Sequence, residues 1–561
     1  MRASHDLSRV GVRFDEPNLV PSAGLLPAAA LAQRLGLERL VDDRLTLAAH
    51  GHASGVKALT VLGSMLAGGD SIRDVDVLRT GATGEVFDGV RAPSTIGSWL
   101  RAFKWSNVRQ LDAVGRELLA RTWAAGAGPA DLSAPLTIDL DSTICEVYGR
   151  SKQGAGFGYT KVRGYHPQLA TCAQTGQVLF SRLRGGSAGA ARGATSFLTE
   201  TVSRVRHAGA TGPLTVRADS GFYCQAVLHT ARKFDVRFSV TVKHNRRIRA
   251  AIAAIDEDAW PPIPYWLSTP GVSGADVAET SYTCFAGTKQ PLTVRLVVRR
   301  VRPTPGSQLA LFTAWDHHAF VTDRDLPLLE AEADHRRHAV VEQTIAELKS
   351  AGLAHLPSGR FMANAAWLAL TVMAHNLGRA VGILAGGRLA RATAATLRRT
   401  LFTMPARLVH SARRRHLRAP ERWPWRTEFD TAIRAIAAPR DQPDPRPDDR
   451  SPERPADRQS RPARSKAAST ETRSQPAPAP CRGASGLSTA TALVRRSARI
   501  RSSERRRFLS ALLRSSTFSQ VTRWVCHNCR CSTNLTTSCM VSGRRPCPVQ
   551  RAGSITRWCR P

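Results

Sequence analysis

Three separated stretches of this 561-residue chain present carboxylates in settings suited to metal chemistry. LTIDLDST at 136–143 carries Asp139 and Asp141. LTVRADSGFY at 214–223 carries Asp219, and HAVVEQTIAELK at 338–349 carries Glu342 and Glu347. Carboxylate oxygens are hard ligands for divalent cations. Two such cations held by shared carboxylates suit in-line displacement at a phosphodiester.

The spacing says which carboxylates can cooperate. Asp139 and Asp141 are two apart in a β-branched run, so in a strand they share a face, with Ile138 and Leu140 turned to a core. Acids in such a strand are costly to bury unless paired or metal-bound; a solvated edge strand is the plain alternative. Asp219 closes LTVRAD ahead of Ser220-Gly221, the strand end at which α/β sheets present ligands. Its competing role is a helix N-cap. On the third segment, Glu342, Ala346 and Lys349 fall on one helical face beside the stripe Val341, Ile345 and Leu348. Glu347 lies about 140° around from Glu342. An ordinary charged surface helix is the alternative there.

Composition states what such a site would act on. The net charge is +36 and the pI about 11.2, which favours a polyanionic partner, nucleic acid above all, over a merely solvated basic surface. No run of 18 apolar residues suggests a membrane span, and the charged start MRASHDLSRV lacks a signal-peptide core. A cytoplasmic, nucleoid-associated protein without membrane contact is expected. Cys145, Cys172, Cys224 and Cys284 are isolated and form no disulfide framework.

Positioning the acids requires an α/β frame. Residues 1–130 read as helical, with APSTIGSWLRAF offering Ser94 or Thr95 as N-cap and Ile96, Trp99, Leu100 and Phe103 as one apolar stripe. Arg101 and Lys104 point elsewhere, and this helix is a candidate for DNA contact as well as for plain core packing. From residue 131 the pattern predicts strands at LTIDLDSTICEVYG and a hairpin in QLATCAQTGQVLFSRL turning at Thr175-Gly176. A helix over 193–209, the strand LTVRAD, a helix over 223–233, the strand VRFSVTVKH and a short helix to about Ile255 follow. Residues 259–325 read as a β-rich insertion, with SYTCFAG, PLTVRLVVRRV, QLALFTAW and HAFVT as β-type runs. Helices return at 335–350 and 363–384, and 326–440 complete the catalytic domain. The apolar run AAWLALTVMAHNLGRAVGIL contains His375 and Arg379, which argues for a buried core helix.

Residues 441–561 differ in kind. They begin with the Pro/Arg/Asp-rich DQPDPRPDDRSPERP, contain a single Lys, and carry Cys526 and Cys529 in CxxC spacing followed by Cys531, Cys539 and Cys547. A zinc site is a weak possibility without framing secondary structure. A disordered extension, such as a frameshifted or read-through tail, is preferred.

These segments resemble the DDE-type transposases of bacterial insertion sequences, in the DDE group 1 or IS4-like superfamily. Glu342 and Lys349 match the second half of that group's Y-x2-R-x3-E-x6-K helix, whereas His335 and His338 stand where the Tyr and Arg would be. Asp141-Ser142-Thr143 fits its D-x-T, so Asp141 is preferred to Asp139, and Asp219 in RADSGFY takes the second position. The resemblance covers about 10–440 and implies an RNase H-like catalytic core interrupted by a β-rich insertion. It implies Asp141, Asp219 and Glu342 as catalytic metal ligands for two Mg²⁺ or Mn²⁺ ions, and double-stranded DNA ends and target as partners. A homodimer in the DNA complex follows from it too. Lys349, Lys243, Arg246 and Arg247 are candidates to hold phosphates, Arg336 or Arg337 to replace the missing Arg, and Arg101 and Lys104 to contact DNA from the N-terminal region. Two other functions share parts of this pattern: a metal-dependent RNase H-like nuclease or resolvase, and an inactive, DNA-binding repressor derived from a transposase.

Overall fold

The computed structural model describes residues 6–264, 274–302 and 315–438. The predicted tail from 441, with its cysteines, and the segment QLALFTA lie outside the described residues.

A nine-stranded mixed sheet carries the acids. Its strands are β1 (Leu136–Ser142), β2 (Gln168–Cys172), β3 (Val178–Arg182), β4 (Leu214–Ala218), β5 (Val236–Thr241), β6 (Pro262–Ile263), β7 (Ala275–Cys284), β8 (Leu292–Val301) and β9 (Asp316–Thr322). They lie in the order β6-β7-β8-β9-β5-β4-β1-β2-β3. β1, β4 and β5 are parallel, and every other neighbouring pair is antiparallel. Parallel neighbours need a crossover. The helix Gln225–Lys233 supplies it between β4 and β5, and Ala194–His207 leads from β3 into β4. One apolar core explains the alternation along these strands. Ile138 and Leu140, Val216 and Ala218, and Phe238 and Val240 meet Phe197, Val202, Val227 and Leu228 of the two helices.

The predicted hairpin forms between β2 and β3, with Gly176 at φ 68° in the left-handed turn position and its N–H bonded to the Cys172 carbonyl at 2.8 Å. The strands of the insertion prolong the central sheet. β7 and β8 pair along their whole length from Ala275↔Val301 to Cys284↔Leu292, and β9 returns beside β5 through Phe320↔Thr241.

The helix Phe361–Ala385 packs against Leu26–Arg34, Ser54–Ala67, Trp105–Ala124 and Arg426–Ala437. Residues from Leu25 to Ala127 thus share one apolar core with residues from Val341 to Ile436. Leu19–Val20 also pairs with Ala406–Ser411, which turns back into Arg414–Arg418. By length and composition Phe361–Ala385 could cross a membrane, yet it is buried in this core. Its polar groups cap the β2–β3 turn: a ring nitrogen of His375 lies 2.9 Å from the Gly176 carbonyl, and Arg379 donates to the Thr175 carbonyl.

The helix predicted at APSTIGSWLRAF spans Pro93–Arg101, with Ala92 rather than Ser94 or Thr95 at its N-cap. Pro at the first helical position suits an N–H that has no helical partner. Its stripe is core: Ile96, Trp99, Leu100 and Phe103 are buried, and Trp99 donates to the Ser54 hydroxyl at 3.0 Å. The helix predicted at 335–350 begins earlier and is broken, as Leu328–Arg336, a 3-10 turn Arg337–Ala339, and Val340–Lys349.

Candidate active site

The two aspartates of β1 share a face, as their spacing requires, but have different surroundings. Asp139 is fully buried, because the helical segment 328–349 covers this face of the sheet. It sits opposite Arg217 in the β1–β4 register. Arg217, only 2% exposed, grips both its oxygens at 2.8 and 2.9 Å. A His338 ring nitrogen lies 2.9 Å from the same carboxylate. Arg217 also reaches the Asp334 carbonyl and lies 3.5 Å from its carboxylate, which Arg324 pairs as well. The charge on Asp139 is therefore consumed in fastening two strands to the 328–349 segment.

Asp141 lies two residues nearer the strand end and has no cationic partner in direct contact. Burial pushes its carboxyl up to about 6, against the Ser142 amide bond and the charge of His338; the charges of Asp219 and Glu342 add to the upward shift. Asp219 follows β4 and closes a turn onto the Gly221 amide at 3.1 Å. It is not a helix cap, since the next helix starts at Gln225 with Cys224 at its N-cap. Burial raises the Asp219 carboxyl too, opposed by the Gly221 bond and by His338, Lys243 and His166. Asp141 of β1 thus feels the charges of Asp219 at the β4 end and of Glu342 on the helix Val340–Lys349.

Glu342 is exposed on its helix, as are Ala346 and Lys349. Glu347 is committed elsewhere: its carboxylate accepts the Ala394 N–H at 3.0 Å. That bond ties the helix to the C-terminal segment.

Two buried polar atoms near the acids lack a partner among the described residues. His166 holds the Ala188 carbonyl through Nδ1 at 2.6 Å, while its Nε2 is unpaired. Gln168, opposite Ser142 in the β1–β2 register, donates to the Ala190 carbonyl, and its Oε1 is unpaired. Buried orphans of this kind suit a site that receives an ion, water or substrate. Carboxylates whose ionisation is opposed by burial, and in Asp141 by neighbouring negative charge, are the donor chemistry a hard divalent cation relieves. The donor set therefore fits such a metal. Among the described residues, however, no three His, Cys, Asp or Glu side chains close into a ready-made cage.

The two histidines in place of the expected Tyr and Arg serve inside the protein. His335 stacks on Phe320 of β9 at 3.9 Å and 9°, and its ring nitrogens meet the Ser239 and Thr241 hydroxyls of β5 at 2.8 and 3.0 Å. Burial lowers its pKa, so the ring is neutral. His338 joins the Asp139 network. Arg336 pairs with the buried Glu332 at 3.2 Å, whereas Arg337 is largely exposed, 3.8 Å from Asp334.

The remaining cations divide by place. Lys243 acts on Asp219, and Lys349 acts on Cys145 just beyond β1. Arg246 and Arg247 open the helix Arg246–Ala253 and are exposed. Arg101 and Lys104 are exposed in the helical layer, where the Arg101 carbonyl accepts a bond from Arg360. Arg217 and His166 escaped the sequence analysis. The Arg217 signal was a charge inside LTVRAD at the strand position that alternation assigns to the Asp139 side.

No curated protein matches the chain. Among solved structures, it is similar to a piggyBac transposase seen by cryo-EM in a synaptic complex with hairpin DNA. The TM-score is 0.35 and the identity 14%, over 68% of this chain and 80% of that one. A family model described as transposase DDE domain group 1 matches residues 3–441, ending where the composition turns to the Pro/Arg-rich tail. On that match the chain belongs to the transposase DDE domain group 1 family.

Proposed function

We propose that this transposase cuts and joins the DNA ends of an insertion sequence by metal-dependent, cut-and-paste chemistry on an RNase H-like core. The observation that carries this reading is the action of the Asp219 and Glu342 charges on Asp141. It links residues 78 and 201 positions from Asp141 in sequence. The core order β3-β2-β1-β4-β5, with acids at the ends of the first and fourth strands, supports it.

Asp141, Asp219 and Glu342 would hold two Mg²⁺ or Mn²⁺ ions, which when bound supply Lewis acidity at the attacking and leaving oxygens of the phosphodiester. The chain's own groups do the rest. Partial burial of Asp141 and Asp219 lowers the dielectric around them, which strengthens their hold on any cation. Lys243 and Lys349 offer charges for phosphates beside the acids, and Arg246 and Arg247 extend that surface. The Asp139–Arg217–His338 network fixes the glutamate-bearing helix over β1 and β4, so Glu342 keeps its place when phosphate charge arrives. Two copies would act in the DNA complex, one at each end of the element.

The test is an assay of end cleavage and strand transfer on DNA carrying the element's termini, with Mg²⁺. Asp219→Asn and Glu342→Gln should lose both steps by more than about 10³-fold while binding persists. Cleavage without joining would favour a nuclease or resolvase. Binding with no metal-dependent cutting by the parent would favour a repressor.

A further inference from the structure

The segment between Asp141 and His166 has a surface that the acids do not explain. Three short strands, Cys145–Glu146, Gly156–Phe157 and Arg163–Tyr165, form a small sheet with Arg163–Tyr165 in the centre. Tyr148, Phe157 and Tyr159 stand out from it at 78%, 66% and 80% exposure. Large aromatic side chains are seldom left in water without a partner to cover them.

Glycines explain why the rings face outward. A Cβ at Gly158 would lie 2.8 Å from the Gly186 carbonyl oxygen, and one at Gly164 would lie 2.4 Å from that of Cys145. One at Gly186 would meet backbone atoms of both Gly156 and Gly164. One side of the sheet is thus sealed backbone to backbone, and the intervening Phe157 and Tyr159 are left to solvent. Arg163 anchors the edge by donating to the Gly149 and Arg150 carbonyls, and Lys152 is tied to the Leu356 carbonyl.

The charge of the patch states its occupant. Residues 145–165 contain four cations, Arg150, Lys152, Lys161 and Arg163, against one carboxylate, Glu146. Arg150 and Lys161 are exposed, and Lys161 is held at φ 57°, a left-handed conformation rare for a non-glycine residue. The patch adjoins the acids. The Tyr159 ring centroid is 6.1 Å from that of His166, whose charge acts on Asp219, and Lys349 acts on Cys145 at the sheet's first strand.

We propose that Tyr148, Phe157 and Tyr159 form a stacking platform for unpaired bases of the DNA end, with Arg150 and Lys161 holding the adjoining phosphates. Exposed rings interleaved with free cations are the means by which proteins hold single-stranded nucleic acid. Duplex DNA offers its bases only at ends and distortions, so this platform would hold the strand where it leaves the helix beside the scissile phosphate. The proposal rests on the cleavage function above, because it takes the acids as the point where the DNA is cut.

The experiment measures binding of the full chain, in EDTA, to two oligonucleotides: a blunt duplex and the same duplex with a 3′ single-stranded extension containing 2-aminopurine. The parent should prefer the extended DNA and change the 2-aminopurine emission. Tyr159→Ala and Phe157→Ala should each weaken binding of the extended DNA about tenfold and abolish the emission change. Neither should alter blunt-duplex affinity, and Tyr159→Phe should restore both signals. Thermal melting should match the parent, since the rings are exposed. Equal binding of the extended DNA by parent and alanine variants would overturn the platform, as would equal weakening on both DNAs. Failure of the parent to bind either DNA in EDTA, or to cut either once Mg²⁺ replaces EDTA, would instead overturn the function on which the platform rests.

Discussion

Asp139 and Asp141 are the same residue type on the same face of one strand, yet their removal should move stability in opposite directions. Asp139→Ala strands Arg217, 2% exposed, without the carboxylate that grips it at 2.8 and 2.9 Å. Breaking a buried pair on one side costs about 3–5 kcal/mol. Asp141→Ala removes a carboxyl pushed from 3.8 to about 6, chiefly by burial. That is roughly two pKa units, or about 3 kcal/mol of ionisation penalty at pH 7. Loss of the Ser142 amide bond takes back about 1 kcal/mol, so the variant should gain about 1–2 kcal/mol. The assay is urea unfolding at pH 7 in EDTA, followed by tryptophan fluorescence. The double variant Asp139→Ala/Arg217→Met should recover most of the loss, since no buried charge is then left alone. An Asp139→Ala protein within about 1 kcal/mol of the parent would refute the structural role. So would Asp141→Ala being the more damaging change.

Because the Asp141 carboxyl is raised on folding, its stabilising contribution is whole below pH 3.8 and is lost as pH rises through about 6. The stability advantage of Asp141→Asn over the parent should therefore grow between pH 4 and 6.5, and urea midpoints across that range check it; a constant difference counts against the shift. Mg²⁺ affinity should rise through the same window, because protons and metal compete for these carboxylates; isothermal titration at pH 5.5 and 7.5 tests this. His335→Ala should cost about 2–3 kcal/mol by deleting two hydrogen bonds and a ring stack that fasten the 328–336 helix to β5 and β9, again read by urea unfolding. Neutralising Lys243 and Lys349 together should lower the slope of log K against log salt by about 2, and an unchanged slope would remove both from the phosphate contacts. A chain ended after residue 441 should retain end cleavage, since the family match stops there; its loss would assign the tail a role.

Local chemistry made the principal elements legible. β-branched alternation marks β1, β4 and β5, Thr175-Gly176 marks the β2–β3 turn, and the apolar run around His375 marks a buried helix, because each pattern is set by neighbours within a few residues. The same local reasoning ranks Glu342 above Glu347 by helical phase, and the structure gives Glu347 a bond to Ala394 instead. What the sequence could not determine is which distant partner each element meets. The 259–325 strands read as β equally well in a separate body or in the central sheet. Hydrogen bonding to β5 decided that they extend the sheet. The helices of 1–130 carry apolar stripes that any core would satisfy, and it is the helix Phe361–Ala385 that covers them. The division of labour between Asp139 and Asp141 is the sharpest case. Spacing put both on one face, but only the register that sets Arg217 opposite Asp139 turned that one into an ion pair and left Asp141 outside it.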